Sequence, residues 1–138
     1  MKARSLVLVA GAVLLATIPA LAHHAFNAEF DRNKPITLTG LVTRLEWANP
    51  HARIYFDVKD AKGMVVNWDF EMGSPNGLMR NGWRRDSLKQ GDEITVTGWL
   101  AKNAPHVGNA GTVVMVKTGK RLFAASSNDE APTPTTNP

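Results

Sequence analysis

Four histidines are the residues of this chain best suited to bind a metal ion. Two stand together as His23-His24, and the other two each follow a proline, in Pro50-His51 and Pro105-His106. Imidazole nitrogens are ligands that both copper and zinc accept. One hypothesis is therefore a copper or zinc site drawn from His23, His24, His51 and His106.

The start of the chain suggests that processing would give His23 a second group able to bind a metal. Lys2 and Arg4 precede an apolar run from Leu6 to Ala22, and small residues stand at Ala20 and Ala22. This order is typical of a secretory signal peptide, residues 1–22, cleaved after Ala22. Cleavage would leave His23 with a free α-amine beside its imidazole, so this one residue could chelate a metal. The following arm, to residue 34, is long enough at ~3.3 Å per residue to reach distant loops.

Each histidine also has an ordinary interpretation. His51 could close a turn by hydrogen bonding to the backbone, and His106 lies in a loop rich in Gly and Asn where water would solvate it. The chain has no His-x-His or Glu-x-x-His spacing that would preform a pair of ligands. The sequence leaves both interpretations open.

The signal peptide predicts a periplasmic or secreted protein with no membrane insertion after cleavage. The chain has no cysteine, so its fold depends on a hydrophobic core rather than on disulfides. Without the signal peptide, 14 Lys and Arg face 12 Asp and Glu, a net charge of +2. A net charge this small argues against nucleic acid as a partner.

Alternation of apolar and polar residues predicts strands through most of residues 35–125. A first strand from Pro35 to Trp47 changes its inward parity, and Gly40 is the expected site of a bulge or bend. The second strand turns Ile54, Phe56 and Val58 inward, and the third does the same with Val66, Trp68 and Phe70. Two more strands begin at Glu93 and Thr112, and a final short strand covers 121–124.

One short helix interrupts this pattern. Ser74-Pro75 is a helix-capping pair, and Leu78, Met79 and Trp83 follow at roughly helical spacing. The order β-β-β-α-β-β is that of a five-stranded, OB-fold-like Greek-key barrel, and the alternative is an open antiparallel sandwich. We therefore predict an all-β domain with one short helix over residues 35–125. An arm over 23–34 precedes it, and a disordered tail rich in Pro, Ser and Thr follows it over 126–138.

The predicted order brings several loops to one pole of the barrel. The loops between strands 1 and 2 and between strands 4 and 5 meet there, and OB-folds usually bind ligands at that rim. The residues gathered at the pole include Glu71 and Met72, and the candidates for binding a ligand are Trp47, Asn49, His51, Trp99 and His106. Trp47 and Trp99 could offer stacking surfaces, although Trp47 could equally fill the mouth of the barrel. Trp99 breaks the inward parity of Ile94 and Val96, so we expect it to face outward.

Signals for catalysis are weak. The chain has no cysteine nucleophile, no Gly-x-Ser-x-Gly elbow and no phosphate-binding loop. A basic cluster of Arg80, Arg84 and Arg85 follows the helix, and it is either solvated surface or a dock for an anionic envelope component.

Motifs along the chain also suggest a family. They are Leu38-Thr39-Gly40, Glu46-Trp47, Asn49-Pro50-His51, Gly73-Ser74-Pro75-Asn76, Gly82-Trp83, Ser87-Leu88-Lys89, Gly91-Asp92, Val96-Thr97-Gly98 and Arg121-Leu122-Phe123-Ala124. In this order they resemble a family of small exported bacterial proteins known only as a domain of unknown function. The resemblance implies a periplasmic or exported single domain and brings no activity with it.

Three functions are consistent with the sequence. The first is a binding protein, without catalysis, for a small molecule or an envelope component at the loop pole. The second is a copper- or zinc-binding protein that uses His23. The third is a structural or interaction module of the cell envelope.

Overall fold

The computed structural model describes residues 26–125, which form an all-β structure with short helical segments. The strands are β1 (Phe30–Glu46), β2 (Arg53–Lys59), β3 (Val65–Glu71), β4 (Glu93–Ala101), β5 (Val107–Met115) and β6 (Arg121–Phe123). A short helix, α1 (Pro75–Arg80), lies between β3 and β4, and residues 26–29 are also helical. The all-β prediction with a short helix is confirmed. The predicted signal peptide (residues 1–22), His23, His24 and the tail (126–138) lie outside the described residues.

Within residues 26–125 the structure has six strands rather than the five of the predicted barrel, and the sixth falls on the short final strand predicted over 121–124. The sixth strand is β6, which pairs antiparallel with β5 through Val113 and Leu122. The other pairings are antiparallel between β1 and β2, β1 and β4, β2 and β3, and β4 and β5. A parallel pairing joins β3 to β5. Each of the first five strands therefore has two neighbours among those five.

The long strand β1 pairs with two other strands, one along each of its halves. Its first half pairs with β4, and its second half pairs with β2. The sequence predicts the bulge at Gly40, but the register shifts between Val42 and Arg44, so Thr43 is the extra residue. Val42 consequently faces the core, while Leu41 is exposed.

Gly40 is needed for a different reason. A Cβ atom at this position would lie 2.2 Å from the carbonyl oxygen of Asp57 on β2. No side chain fits in that space, so the glycine permits a close approach of two backbones.

The start of β1 also differs from the prediction. The strand begins at Phe30, five residues before Pro35, so the last part of the predicted arm is already sheet. Phe26 and Phe30 pack against Trp99 in a small apolar cluster, separate from the main core, with Phe26 and Trp99 edge to face at 5.4 Å.

The main core lies between the inward faces of the strands and α1. Its largest fully buried side chains include Trp83, Phe56, Phe70 and Ile54. Trp83 lies beyond the end of α1, and its Nε1 donates a 2.8 Å hydrogen bond to the carbonyl of Phe123. This bond ties the segment after the helix to β6. In the described part of the chain, no helix has the length and apolar character needed to cross a membrane.

Candidate functional site

The predicted binding residues are divided between two surface clefts and a buried cluster. Trp47 and Asn49 line one cleft, His51 contacts Glu71 of a second cleft, and Trp99 is buried. His106 lies against the ring of Trp68. The expected single pole is therefore not one continuous site.

The larger cleft, called the Trp47 cleft here, has a volume of about 540 Å³. It opens where the chain leaves β1 at Glu46 and passes the beginning of α1. Ser74 caps α1 by accepting a 3.2 Å hydrogen bond from the backbone N–H of Gly77, as its sequence predicts. The cleft is lined by Trp47, Ala48, Asn49, Pro75, Asn76, Met79, Arg84, Arg85 and Asp86.

The lining of the Trp47 cleft combines apolar and hydrogen-bonding groups. Trp47 is half-buried and packs against the main core on one side, and Met79 is 43% exposed. Asn49 and Asn76 add exposed side-chain amides. This combination gives the cleft surfaces for stacking and for directed hydrogen bonds.

The segment after α1 brings positive charge to this cleft. Arg84 is fixed because its backbone N–H donates to Ser87 Oγ at 2.7 Å and its Nη1 donates to the carbonyl of Trp83 at 2.8 Å. Arg85 and Asp86 are exposed beside it. Two guanidinium groups and one carboxylate leave the lining with an excess of one positive charge.

The smaller cleft, called the Glu71 cleft here, has a volume of about 260 Å³. Its walls come from the helical residues 26–29, the ends of β3 and β4, and the loop between β4 and β5. The lining residues are Ala28, Glu29, Phe30, Arg53, Glu71, Ala101, Asn103, Ala104 and Val107.

Charged side chains form a network on one wall of the Glu71 cleft. Arg53 holds Asp69 with two hydrogen bonds, from Nε at 2.8 Å and from Nη2 at 3.0 Å, and it donates from Nη1 to Glu71 Oε2 at 3.2 Å. Burial lowers the pKa of Arg53, but the hydrogen bond and charge of Asp69 and the charge of Glu71 outweigh it and raise that pKa. Arg53 therefore remains a guanidinium cation within this network.

The surroundings of Glu71 disfavour the charged form of its carboxyl. Burial raises the pKa of its carboxyl above the ordinary value, and the charges of Glu29 and Asp69 act in the same direction. The charges of His51 and Arg53 partly offset this effect. Such a shifted carboxyl in a cleft is a candidate for ligand contact.

The two loop histidines have different neighbours. His51 Nδ1 lies 3.0 Å from the carbonyl oxygen of Met72 and 3.7 Å from Glu71 Oε1. The ring of His106 meets that of Trp68 edge to face, with centroids 5.1 Å apart, and its carbonyl accepts a hydrogen bond from the Asp69 N–H. Between residues 26 and 125, no group of three or more His, Cys, Asp or Glu residues could hold a metal ion. The predicted ligands His23 and His24 lie outside the described residues.

Trp99 does not offer the stacking surface that the sequence predicts. Its outward parity is correct because it points away from the main core, but Phe26 and Phe30 cover it and leave it 4% exposed. Arg32 adds its guanidinium carbon 5.5 Å from the ring centroid of Trp99. The sequence did not predict that Phe26 and Phe30 cover Trp99, because both lie in the segment taken as a free arm.

Comparison with known proteins places the chain in a family. The family model described as "Family of unknown function (DUF6152)" matches residues 11–110. The chain belongs to this family. No curated protein and no solved structure matches the chain.

The match to the DUF6152 family covers every motif that suggested the resemblance except Arg121-Leu122-Phe123-Ala124. Two of these motifs end in glycines that the fold requires. Gly40 faces the Asp57 carbonyl, and a Cβ at Gly98 would lie 1.9 Å from the carbonyl oxygen of Asn109. Other motifs contribute Trp47, Asn49 and Pro75 to the lining of the Trp47 cleft.

Proposed function

We propose that this DUF6152 protein is an exported binding protein whose Trp47 cleft takes a small anionic ligand with an aromatic or apolar body. One observation carries this proposal. A cleft of about 540 Å³ combines a half-buried tryptophan, two side-chain amides and two guanidinium groups. Sites for small molecules typically occupy ~300–1,000 Å³ and place a few polar groups in a largely apolar lining.

The charges and shapes of the lining argue for an anion. A guanidinium group pairs with carboxylate or phosphate in a bidentate geometry, and Arg85 is exposed and able to turn toward a ligand. Asp86 would repel a second anionic group near it, which favours a ligand with a single anionic group. An aromatic body would stack on Trp47 and contact Met79.

We further propose that the fold is an OB-fold-like barrel. The support is the circuit of pairings β1–β2–β3–β5–β4–β1, together with a first strand whose halves pair with different partners. In OB-folds the loops at one rim form the ligand site. The loop between β1 and β2 contributes Ala48 and Asn49 to the Trp47 cleft.

We also propose that the protein works in the periplasm or outside the cell. The support is the basic start, the apolar run and the small residues Ala20 and Ala22. In this setting the ligand would be a small molecule or the anionic part of an envelope component. The copper or zinc alternative depends on His23, and mass spectrometry of the processed protein with its metal retained would test it. The third alternative, a structural module, predicts no ligand at all.

A titration followed by tryptophan fluorescence tests the binding proposal. The ligands are phenyl phosphate and benzoate, and benzamide serves as the uncharged analogue of benzoate. We expect saturable binding of the two anions and at least about tenfold weaker binding of benzamide, since a hydrogen bond to a charged group contributes about 1.5–3 kcal/mol.

Matched variants locate the site. Arg85→Gln should weaken the binding of both anions by about tenfold. Arg121→Gln removes the same charge from an exposed position on β6, outside the cleft, and should leave binding unchanged. Equal effects of the two variants, or equal affinity for benzamide and benzoate, would contradict the proposal.

A further inference from the structure

The Glu71 cleft differs from the Trp47 cleft in size, walls and charge, and it suggests a second ligand. From this geometry we propose that the Glu71 cleft binds a small organic cation, namely a primary ammonium group on a short apolar chain. This proposal stands independently of the anion site, because the two clefts share no lining residue.

The charge balance of the network favours a cation. Arg53 is the one basic residue among the lining residues, and its donors are directed to Asp69 and to Glu71 Oε2. Glu29 and Glu71 both line the cleft, and Asp69, which is not a lining residue, is paired with Arg53. Among Arg53, Glu29, Glu71 and Asp69, three carboxylates face one guanidinium, an excess of two negative charges.

One carboxylate oxygen in particular is available to a donor. Glu71 Oε1 lies 3.7 Å from His51 Nδ1, which is beyond hydrogen-bond distance, and that nitrogen is 3.0 Å from the carbonyl of Met72. Within residues 26–125, Oε1 has no hydrogen bond, while Oε2 accepts from Arg53. An ammonium group brings three donors to such an oxygen.

A second acceptor without a donor lies on the same face of the sheet. Asn109 pairs with Glu71 across β3 and β5, and it follows the cleft residue Val107 by two positions. It is 4% exposed, and its Oδ1 is the buried side-chain oxygen or nitrogen that lacks a hydrogen-bond partner among the described residues. Buried hydrogen-bond acceptors normally have a donor. This face of the sheet therefore has acceptors that lack donors.

The remaining walls define the rest of the ligand. Ala28, Phe30, Ala101, Ala104 and Val107 present apolar groups around a volume of about 260 Å³. At ~30 Å³ per water molecule, that space equals roughly nine waters, which suits a chain of a few carbon atoms. A hydrated metal ion would gain nothing from these walls, and an anion would meet Glu29 and Glu71.

Calorimetric titration of the full chain with n-butylammonium chloride tests the proposal, with 1-butanol as the uncharged analogue. We expect saturable binding of n-butylammonium with a Kd below about 1 mM and at least about tenfold weaker binding of 1-butanol. Absence of saturable n-butylammonium binding in this range, or equal affinity for 1-butanol, would overturn the proposal.

Three variants assign the binding to the cleft. Glu71→Gln should weaken n-butylammonium binding by about tenfold or more, whereas Glu93→Gln removes the same charge from an exposed position on β4 and should change it less than about twofold. Ala104→Leu fills the cleft from an exposed loop and should also block binding. If Glu71→Gln does not fold, as a loss of cooperative unfolding would show, Ala104→Leu still tests the site.

Full binding by Ala104→Leu, or equal losses in Glu71→Gln and Glu93→Gln, would refute a site in this cleft. The anion probe separates this proposal from the previous one. Phenyl phosphate binding should be the same in Ala104→Leu and in the unmodified protein, since Ala104 does not line the Trp47 cleft.

Discussion

Replacing Gly98 by alanine tests the close approach of β4 and β5 near the Trp99 cluster. A Cβ atom at Gly98 would lie 1.9 Å from the carbonyl oxygen of Asn109, 2.9 Å from its carbonyl carbon and 3.2 Å from the Cα of Ala110. All three atoms belong to the backbone, so no side-chain rotation relieves the clash. The two strands must move apart at this point.

The size of the effect follows from these distances. Ordinary van der Waals contact begins at 3.4 Å, so the oxygen must retreat by about 1.5 Å. Hydrogen bonds between the strands, which operate at ~2.7–3.2 Å, would not survive such a separation. Loss of two buried backbone bonds at ~1–3 kcal/mol each predicts that the free energy of unfolding falls by about 2–6 kcal/mol. The melting temperature would fall by about 8 °C or more.

Urea and thermal unfolding of Gly98→Ala and Gly77→Ala measure this effect. Gly77 lies in α1, where an added Cβ meets only the movable Oγ of Ser74 at 3.2 Å. The better helix propensity of alanine, about 1 kcal/mol, offsets that crowding, so the control should stay within about 1 kcal/mol of the unmodified protein. A Gly98→Ala variant as stable as this control would refute the close packing of β4 against β5.

Two further predictions concern Glu71 and Phe26. Burial raises the pKa of Glu71, so the folded protein holds this proton to higher pH than the unfolded chain, and stability is lost as the pH rises through that interval. The free energy of unfolding of Glu71→Gln, measured relative to the unmodified protein, should therefore increase between about pH 4 and about pH 7 in urea titrations. A difference that is constant or decreases with pH would show that burial does not dominate at this carboxyl. Phe26→Ala should cost about 2 kcal/mol and expose Trp99, seen as a red shift of the emission and stronger acrylamide quenching. Unchanged quenching would contradict the covering role of Phe26.

Where apolar and polar residues alternate clearly, the local sequence pattern was sufficient to predict which side chains of a strand face the core. In β2, period two predicted Ile54, Phe56 and Val58 inward, and Ile54 and Phe56 are indeed fully buried, while Val58 packs against the core. The cap at Ser74-Pro75 was equally local, since its hydrogen bond spans three residues. Features of this kind depend on neighbours in sequence.

The position of the bulge in β1 could not be predicted from local alternation. Leu41 and Val42 are adjacent and both apolar, so alternation alone does not decide which one faces the core. The choice depends on pairing with β2, where Val42 stands opposite Phe56. This partner lies on another strand, and the local pattern around Gly40 contains no information about it.

The division of the expected pole has a similar cause. Topology predicts which loops share one end of a barrel, but side chains at strand ends point according to the local backbone. Trp47 lines the cleft beside α1, whereas His51 turns to Met72 and Glu71. Trp99 was correctly predicted to face away from the core, and the residues that cover it come from the segment taken as a free arm.

Binding of an aromatic anion in the Trp47 cleft can be followed residue by residue through amide chemical shifts in ¹⁵N-labelled protein during titration with phenyl phosphate. We expect the largest shift changes on the lining residues of that cleft, led by Ala48, Asn49, Asn76 and Arg85. Shift changes that concentrate elsewhere on the described fold, or no saturable change at all, would contradict binding in this cleft.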